Sequence, residues 1–573
     1  MLFFNPKNEY DMKTKERKNM KKLLLLIRVI TFALVMAALN TSCVKFDEKL
    51  YSQVTPDNFF KTEEELVSAL GAEYTLFAPY ATSNLFDKQE ATTDEVVVPT
   101  RGQDWDDGGT SRRLHLHSWK YEDNGMGGSW DNCYAGVNTA NRLIYQFQLL
   151  LKSGNITSDV SSAYVSELQT LRGFFYWQLV DLYGNIPLVT DFTSLDATPK
   201  TVARKDVYDF IVTDLEAAVP LLSKTVGGTN YARMNYYAGQ TLLAKLYLNA
   251  EVYSGAPQWN KVITACDEVL NSGKYSLESN YFANFNENNS GSKEFIFSIP
   301  YDQVFFTGFN LSMQTLHYGS QATYNLTSSP WNGYCSMEEF YNSYTDNDLR
   351  KGDVGTLLGP ATKRGNFIAG YQYILGGGLV TDGGADADDP DGPPLNFGNM
   401  LHSPAVPQIN ELGPQGWRQS GVRIGKWEFA NGGTPDLSND YAVFRYADVL
   451  LMKAEALFRL GNTALALPLV NQIRERAGLT DLTSLDGKVC FDLAGPVVSG
   501  GELLNEMGRE MAFEHNRRQD LIRWGFWNSN DKWAIPYHNV GDVIKTTGDY
   551  LKIFPIPKAK LDANPNLVQN PGY

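Results

Sequence analysis

The densest group of acid–base residues lies near the C-terminus, in GREMAFEHNRRQDLIRWG, Gly508 to Gly525. It holds Glu510, Glu514, His515, Asp520 and four arginines. Two chemistries compete for it. Glycoside hydrolysis would use two carboxylates from different elements, facing each other across roughly 5–9 Å. One of them would need a raised pKa. The spacing points elsewhere. Glu510 is four residues from Glu514, and Glu514 four from Arg518, so a helix would set acid beside base on one face. Structural ion pairing is the favoured reading, because Arg–carboxylate pairs buttress packed helices.

Other constellations are weaker. The chain has no GxSxG elbow, Walker loop, HExxH or Rossmann glycine pattern. GYQYILGGGLV reads as a turn, since no Lys-Ser helix follows it. His115 and His117 alternate in LHLH and would share one strand face. A metal site needs a third ligand, and none is assignable, so they read as core or solvent-facing histidines. The run DGGADADDPDG, with Asp386, Asp388, Asp389 and Asp391, is either a solvated acidic loop or a calcium loop. It lacks the glycine and distal glutamate of an EF-hand. No other cofactor is expected.

These residues sit in a chain of 573 residues, 43% hydrophobic, which is enough to build a core. The net charge of -15 argues against a nucleic-acid partner, which would need clustered Lys and Arg. Cys133, Cys266, Cys335 and Cys490 lie far apart, so neither a disulfide framework nor a zinc site is indicated. The fifth, Cys43, ends MKKLLLLIRVITFALVMAALNTSC (20–43). Lys21 and Lys22, an apolar run from Leu23 to Leu39, and the small residues Thr41 and Ser42 have the layout of a signal peptide. A membrane span fits less well. The run falls short of ~20 residues, and Arg28 inside it would cost about 2.5 kcal/mol or more. The end resembles a lipobox, with cleavage before a lipidated Cys43, although Asn40 stands where a leucine is usual. Met20 is the expected start.

After Cys43 the chain alternates helical segments with short Gly, Asn or Pro turns. SWDNCYAGVNTANRLIYQFQLLL, SSAYVSELQTLRGFFYWQLVDLYGN, KDVYDFIVTDLEAAVPLL, RMNYYAGQTLLAKLYLNAEVY and WNKVITACDEVLNSGKY all carry helical periodicity. The fold class is mainly α: tetratricopeptide-like helix pairs in a partial solenoid, with an irregular insert and a few short strands. The expected divisions are a leader and signal peptide at 1–42, a helical region at 43–279 and a C-terminal region at 280–573. The first region includes a loop segment at 84–130. The second holds the insert 280–440 and returning helices at 441–530.

Six of these segments, in order, resemble the SusD/RagB family of bacterial outer-membrane lipoproteins. They are NTANRLI (138–144), LRGFFYWQLVDLYGNIPLVT (171–190), FRYADVLLMKAEALFRLG (444–461), VNQIRERAGL (470–479), REMAFEHNRRQDLIRWG (509–525) and FPIP with NPNLVQNPGY (554–557 and 564–573). The resemblance implies a surface-exposed, non-enzymatic glycan-binding lipoprotein at the outer membrane. It implies a SusC-like TonB-dependent transporter as partner and makes the opening stretch scaffold. His515 departs from a glycine often found near that place, and is expected to be tolerated at the surface.

Sugars bind by laying C–H faces on aromatic rings while Asp, Asn and Arg bond their hydroxyls. Two loop segments offer that mixture. TTDEVVVPTRGQDWDDGG carries Asp94, Arg101, Asp104 and Trp105; SSPWNGYCS carries Trp331, Asn332 and Tyr334. The family builds its glycan site from broadly these two regions. Trp119, Tyr301 and Trp417 are lesser candidates, and Trp130, Trp177, Trp427 and Trp524 read as core. Two alternatives stay open: a peptide-binding member of the same uptake system, and a secreted glycoside hydrolase.

Overall fold

The computed structural model describes residues 62–82, 84–101, 105–123, 125–194, 196–382, 394–398, 411–412, 418–527 and 548–573, besides Met20. Cys43, Asp104, Trp417 and the acidic run 386–391 lie outside them. From Phe60 onward the chain forms one compact unit.

Ten of the described helices have eight residues or more. They are α1 (Glu63–Tyr74), α2 (Gly128–Lys152), α3 (Ser158–Tyr183), α4 (Arg204–Ala218), α5 (Tyr236–Leu248), α6 (Trp259–Leu270), α7 (Tyr446–Arg459), α8 (Thr463–Arg476), α9 (Gly501–Met511) and α10 (Arg517–Trp524). Their starts follow local chemistry. Thr62 and Glu65 close a capping box on α1. Thr157 caps α3 through the Val160 N–H, and Asn235 caps α5 through the N–H groups of Tyr237 and Ala238. From Leu168 to Tyr183 nearly every α3 residue is buried, so it is the central helix. Gly136 of α2 lets it approach: a Cβ there would lie 2.3 Å from the Phe175 ring.

Each long helix from α2 onward packs on the next, and this includes α6 on α7. The helical stack is therefore continuous across the irregular insert. The insert is pinched shut by two five-residue strands, β1 (Phe295–Ile299) and β3 (Tyr441–Arg445), paired antiparallel with Tyr441 opposite Ile299 and Arg445 opposite Phe295. Both are buried along their whole length, which explains their lack of alternating polarity. Within the insert, β2 (Phe367–Tyr371) pairs with Arg423–Ile424 antiparallel and Val354–Gly355 parallel. Two short ladders join distant loops. Val96–Val97 pairs with Cys335–Ser336, and Thr100–Arg101 with Glu411–Leu412.

Three readings of the sequence need correction, the third being His515, expected at the surface and in fact buried. His115 ends a short helix, Thr110–His115, and does not share a strand face with His117. Both are buried, with His117 Nε2 2.8 Å from the Thr92 carbonyl. The Gly508–Gly525 stretch is two helices, α9 and α10, broken at Ala512–Asn516, where Phe513 and His515 both take φ of 64°.

That break settles what the charged stretch does. Glu514 bonds not Arg518 but Arg445 at 2.8 Å and Lys426 at 2.5 Å. Glu510 takes Arg445 at 2.5 Å, Arg350 at 3.1 Å and Arg476. Arg476 and Arg445 also reach Glu294, at 2.5 and 3.3 Å. Arg517 forks onto Asp94 with two 2.7 Å bonds, and Arg518 reaches Asp181 at 2.9 Å. Ion pairing is the role, as the spacing implied, but apart from the local Asp520–Arg523 pair at 2.6 Å these partners are remote. The network ties β3, α8 and α9 to Arg350 and Lys426 of the insert. His515 is not a surface residue. It is buried among the rings of Tyr80, Phe86 and Tyr441, and burial pushes its pKa down to about 3.

The network makes stability pH-dependent on both sides. Burial alone would raise Glu510, but Arg476, Arg445 and Arg350 outweigh it and hold the carboxyl at about 2. Arg445 and Lys426 likewise outweigh burial at Glu514. The stabilisation these carboxylates contribute is complete above the ordinary value of 4.5 and is lost as pH falls toward about 2. His515 adds to the acid loss, since its folded form stays neutral from 6.5 down to about 3. Glu90 behaves in reverse. Burial pushes it up to about 8, against the His515 N–H that bonds it, and Glu95 is raised too. Protonated Glu90 stabilises fully below 4.5, and that contribution fades as pH rises through about 8. Melting temperature is therefore expected to peak near pH 5–7 and fall at both pH 3.5 and pH 9. Glu90→Gln should flatten the alkaline fall; an unchanged melt from pH 6 to 9 in the parent chain would contradict this assignment.

Candidate functional site

The structure brings the two sugar-type segments together. Trp105 Nε1 donates to the Trp331 carbonyl at 2.5 Å, across 226 positions of chain. The Trp331 ring is 43% exposed, while Trp105 is half-buried beside Tyr334, ring centroids 6.1 Å apart. Both loops are held in strained backbone: Trp105 and Asn332 each have φ of 58°, a region that non-glycine residues seldom occupy. Such outliers persist where the surroundings over-determine them, and they cluster at binding sites.

The surroundings here are explicit. Four successive N–H groups, from Trp331 to Tyr334, donate to the carbonyls of Met313, Leu316 and Gln314 at 2.7–2.9 Å. Gly333 lies under the Trp105 ring, where a Cβ would come within 2.4 Å of it. Arg101, at the end of the short ladder, is buried and spends its guanidinium on the carbonyls of Asn332, Gly333 and Ser420 at 2.8, 2.9 and 3.1 Å.

Four of the polar and aromatic residues expected to touch sugar are therefore placed as supports. Arg101 stitches the Trp331 loop. Asn332 is fully buried and bonds the Arg418 carbonyl through Nδ2 at 3.0 Å. Tyr334 is 2% exposed, stacked on Phe86, with its hydroxyl donating to Asp87 at 2.6 Å. Asp94 is buried beneath Arg517. Their burial removes them from a surface ligand. Among the described candidates, Trp105 and Trp331 are the two that meet solvent, and Asp106 and Asp107 follow Trp105 at the surface. Among the lesser candidates, Trp119 and Tyr301 are buried, Trp119 donating to the Tyr573 hydroxyl at 2.6 Å. Trp130, Trp177 and Trp427 are core, as expected, while Trp524 is half-buried under Arg459. The sequence reading missed residues 311–316, whose carbonyls template the Trp331 loop. NLSMQTLHYG carries no signal for that role, because backbone groups do the work.

The sequence comparisons cover both halves. The SusD family profile matches residues 411–573. A second profile, described as starch-binding and associating with the outer membrane, matches residues 45–248. The chain belongs to the SusD/RagB family. Starch-binding protein SusD of Bacteroides thetaiotaomicron is 25% identical over 446 residues, 71% of this chain and 72% of that protein. A SusD superfamily protein from Parabacteroides distasonis superposes with a TM-score of 0.67 at 18% identity, over 91% of this chain and all of that one. Surface glycan-binding protein A from B. thetaiotaomicron, in complex with laminarihexaose, superposes with a TM-score of 0.64 at 19% identity, over 89% and 99%. The SusD fold is thus confirmed as mainly helical. Glu90 and Glu95 are two neighbouring carboxylates that burial raises. They are at most 1% exposed and bonded by the N–H groups of His515 and Phe513, so no substrate reaches them.

Proposed function

We propose that the protein is a cell-surface lipoprotein, anchored through Cys43, that captures oligosaccharide on the Trp105–Trp331 pair without cleaving it. It then passes the glycan to a SusC-like TonB-dependent transporter in the outer membrane. The observation that carries this reading is the exposed Trp331 ring, set by a rigid loop beside Trp105. A fixed aromatic platform gives a pyranose its apolar face at low entropic cost. The names of the relatives, starch-binding and laminarihexaose-bound, support a glycan as ligand. No described helix is long and apolar enough to cross a membrane, so the anchoring reading rests on the leader and Cys43.

The test is affinity electrophoresis of the chain against neutral polysaccharides and oligopeptides. Selective retardation by one glycan, with no shorter products on prolonged incubation, is the expected result. Retention by peptides alone would transfer the site to peptide capture. Accumulating short oligosaccharides would make the protein a hydrolase.

A further inference from the structure

A second cavity, of ≈ 350 Å³, shares no lining residue with the Trp105–Trp331 pair. It opens between the short helix Ser320–Tyr324, the loop 360–365, strand β2 and residues 425–429. Its volume falls in the range of small-ligand sites, about 300–1,000 Å³. Aromatic rings form much of its wall: Tyr324 and Phe429 meet edge to face at 5.7 Å, and Tyr371 and Tyr373 stand half-exposed beside them.

Its polar groups are unbalanced. Three lining residues carry buried side-chain atoms without a hydrogen-bond partner: Thr323 Oγ1, Arg364 Nε and Trp427 Nε1. Trp427 is 2% exposed, so its N–H has no water to turn to. Buried donors are rarely left unpaired, and each such case asks for an explanation. Arg364 is fixed by its other nitrogens, which donate to the carbonyls of Phe285 and Lys426 and to Asn286 Oδ1 at 2.5–2.8 Å. Glu428 is its nearest carboxylate partner, at 3.9 Å. Burial pushes the guanidinium down to about 10, which leaves it cationic at neutral pH. Acceptors are meanwhile spent within the protein. Asp353 takes three bonds from Thr362 and Lys363, and Glu428 takes the Glu287 N–H at 2.9 Å.

We infer that this cavity is a second saccharide site, selective for an acidic sugar: a pyranose bearing a carboxylate. The ring's C–H face would lie on the tyrosines, and the carboxylate and hydroxyl oxygens would accept from Arg364, Thr323 and Trp427. An uncharged sugar would leave the Arg364 cation with only the distant Glu428 carboxylate, 3.9 Å away, to answer its charge. The inference rests on the glycan reading above but not on the tryptophan pair.

Calorimetry of the full chain tests it, with disaccharides of galacturonate, mannuronate and glucuronate, and maltose as the neutral comparison. One uronate should bind with a preference of about tenfold or more over maltose at this site, the worth of one charge-assisted hydrogen bond. Arg364→Gln should abolish that preference. Because Arg364 also holds backbone, Thr323→Val is the cleaner variant. Its hydroxyl has no partner inside the protein, so melting temperature should not change while uronate affinity falls several-fold. Trp331→Ala should leave uronate binding intact. Three results would overturn the inference: no uronate bound, equal binding in Thr323→Val and Arg364→Gln, or loss in Trp331→Ala. If a neutral glycan still binds through Trp331 in those cases, the proposed function stands without this second site.

Discussion

Arg445→Met is expected to destabilise the protein by about 3–5 kcal/mol, the cost of breaking a buried ion pair by removing one partner. Arg445 is fully buried and serves Glu514, Glu510, Glu294 and the Glu510 carbonyl at once. Methionine fills much of the volume but donates nothing. Glu514 keeps Lys426, and Glu510 keeps Arg350 and Arg476, so the loss should stop short of a complete collapse of the network. The measurement is the midpoint of denaturant unfolding. A second variant, Arg445→Met with Glu514→Leu, also strips buried Lys426 of its carboxylate and should recover none of the loss. A midpoint unmoved by Arg445→Met would show that the network does not hold the insert to the helices.

Trp331→Ala is expected to weaken glycan binding by about 30-fold or more while leaving the melting temperature nearly unchanged. Truncating a central aromatic in a binding site costs about 2 kcal/mol or more. The ring is 43% exposed, so the folded state loses little when it goes. Trp105 separates two contributions. Trp105→Phe keeps a ring but loses the 2.5 Å bond to the Trp331 carbonyl, and should give an intermediate loss. Trp105→Ala removes both and should match Trp331→Ala. Retardation in glycan-containing gels reads all three. Unchanged retention in Trp331→Ala would place the sugar elsewhere.

The helices were legible because helical period and turn residues agree along 128–270 and 446–476. The charged stretch was legible in kind and not in partners. Local spacing assumes one helix, and nothing in MAFEHN marks the turn at Phe513 and His515, which a glycine or proline would have announced. The two tryptophans were legible as large rings in Gly- and Asn-rich loops. Their polar neighbours were not. Composition does not separate an arginine that meets a ligand from one, like Arg101, that spends itself on backbone carbonyls. Asp94 failed for a related reason, since its partner Arg517 lies 423 residues away.

The packing of α6 against α7, with β1 and β3 closing the neck, has a consequence for how such chains diversify. An excursion whose entry and exit lie side by side is a cassette. It can be lengthened, shortened or exchanged for another at little loop-closure cost, because that cost grows only as the logarithm of length. The exchange is constrained by charge as well as by core packing: Arg350 and Lys426 belong to the cassette, while Glu506, Glu510 and Glu514 belong to the frame. A grafted cassette that omitted those two cations would leave buried glutamates short of charge. New specificities evolve on the outer loops while these two rivets and the shared core stay in place.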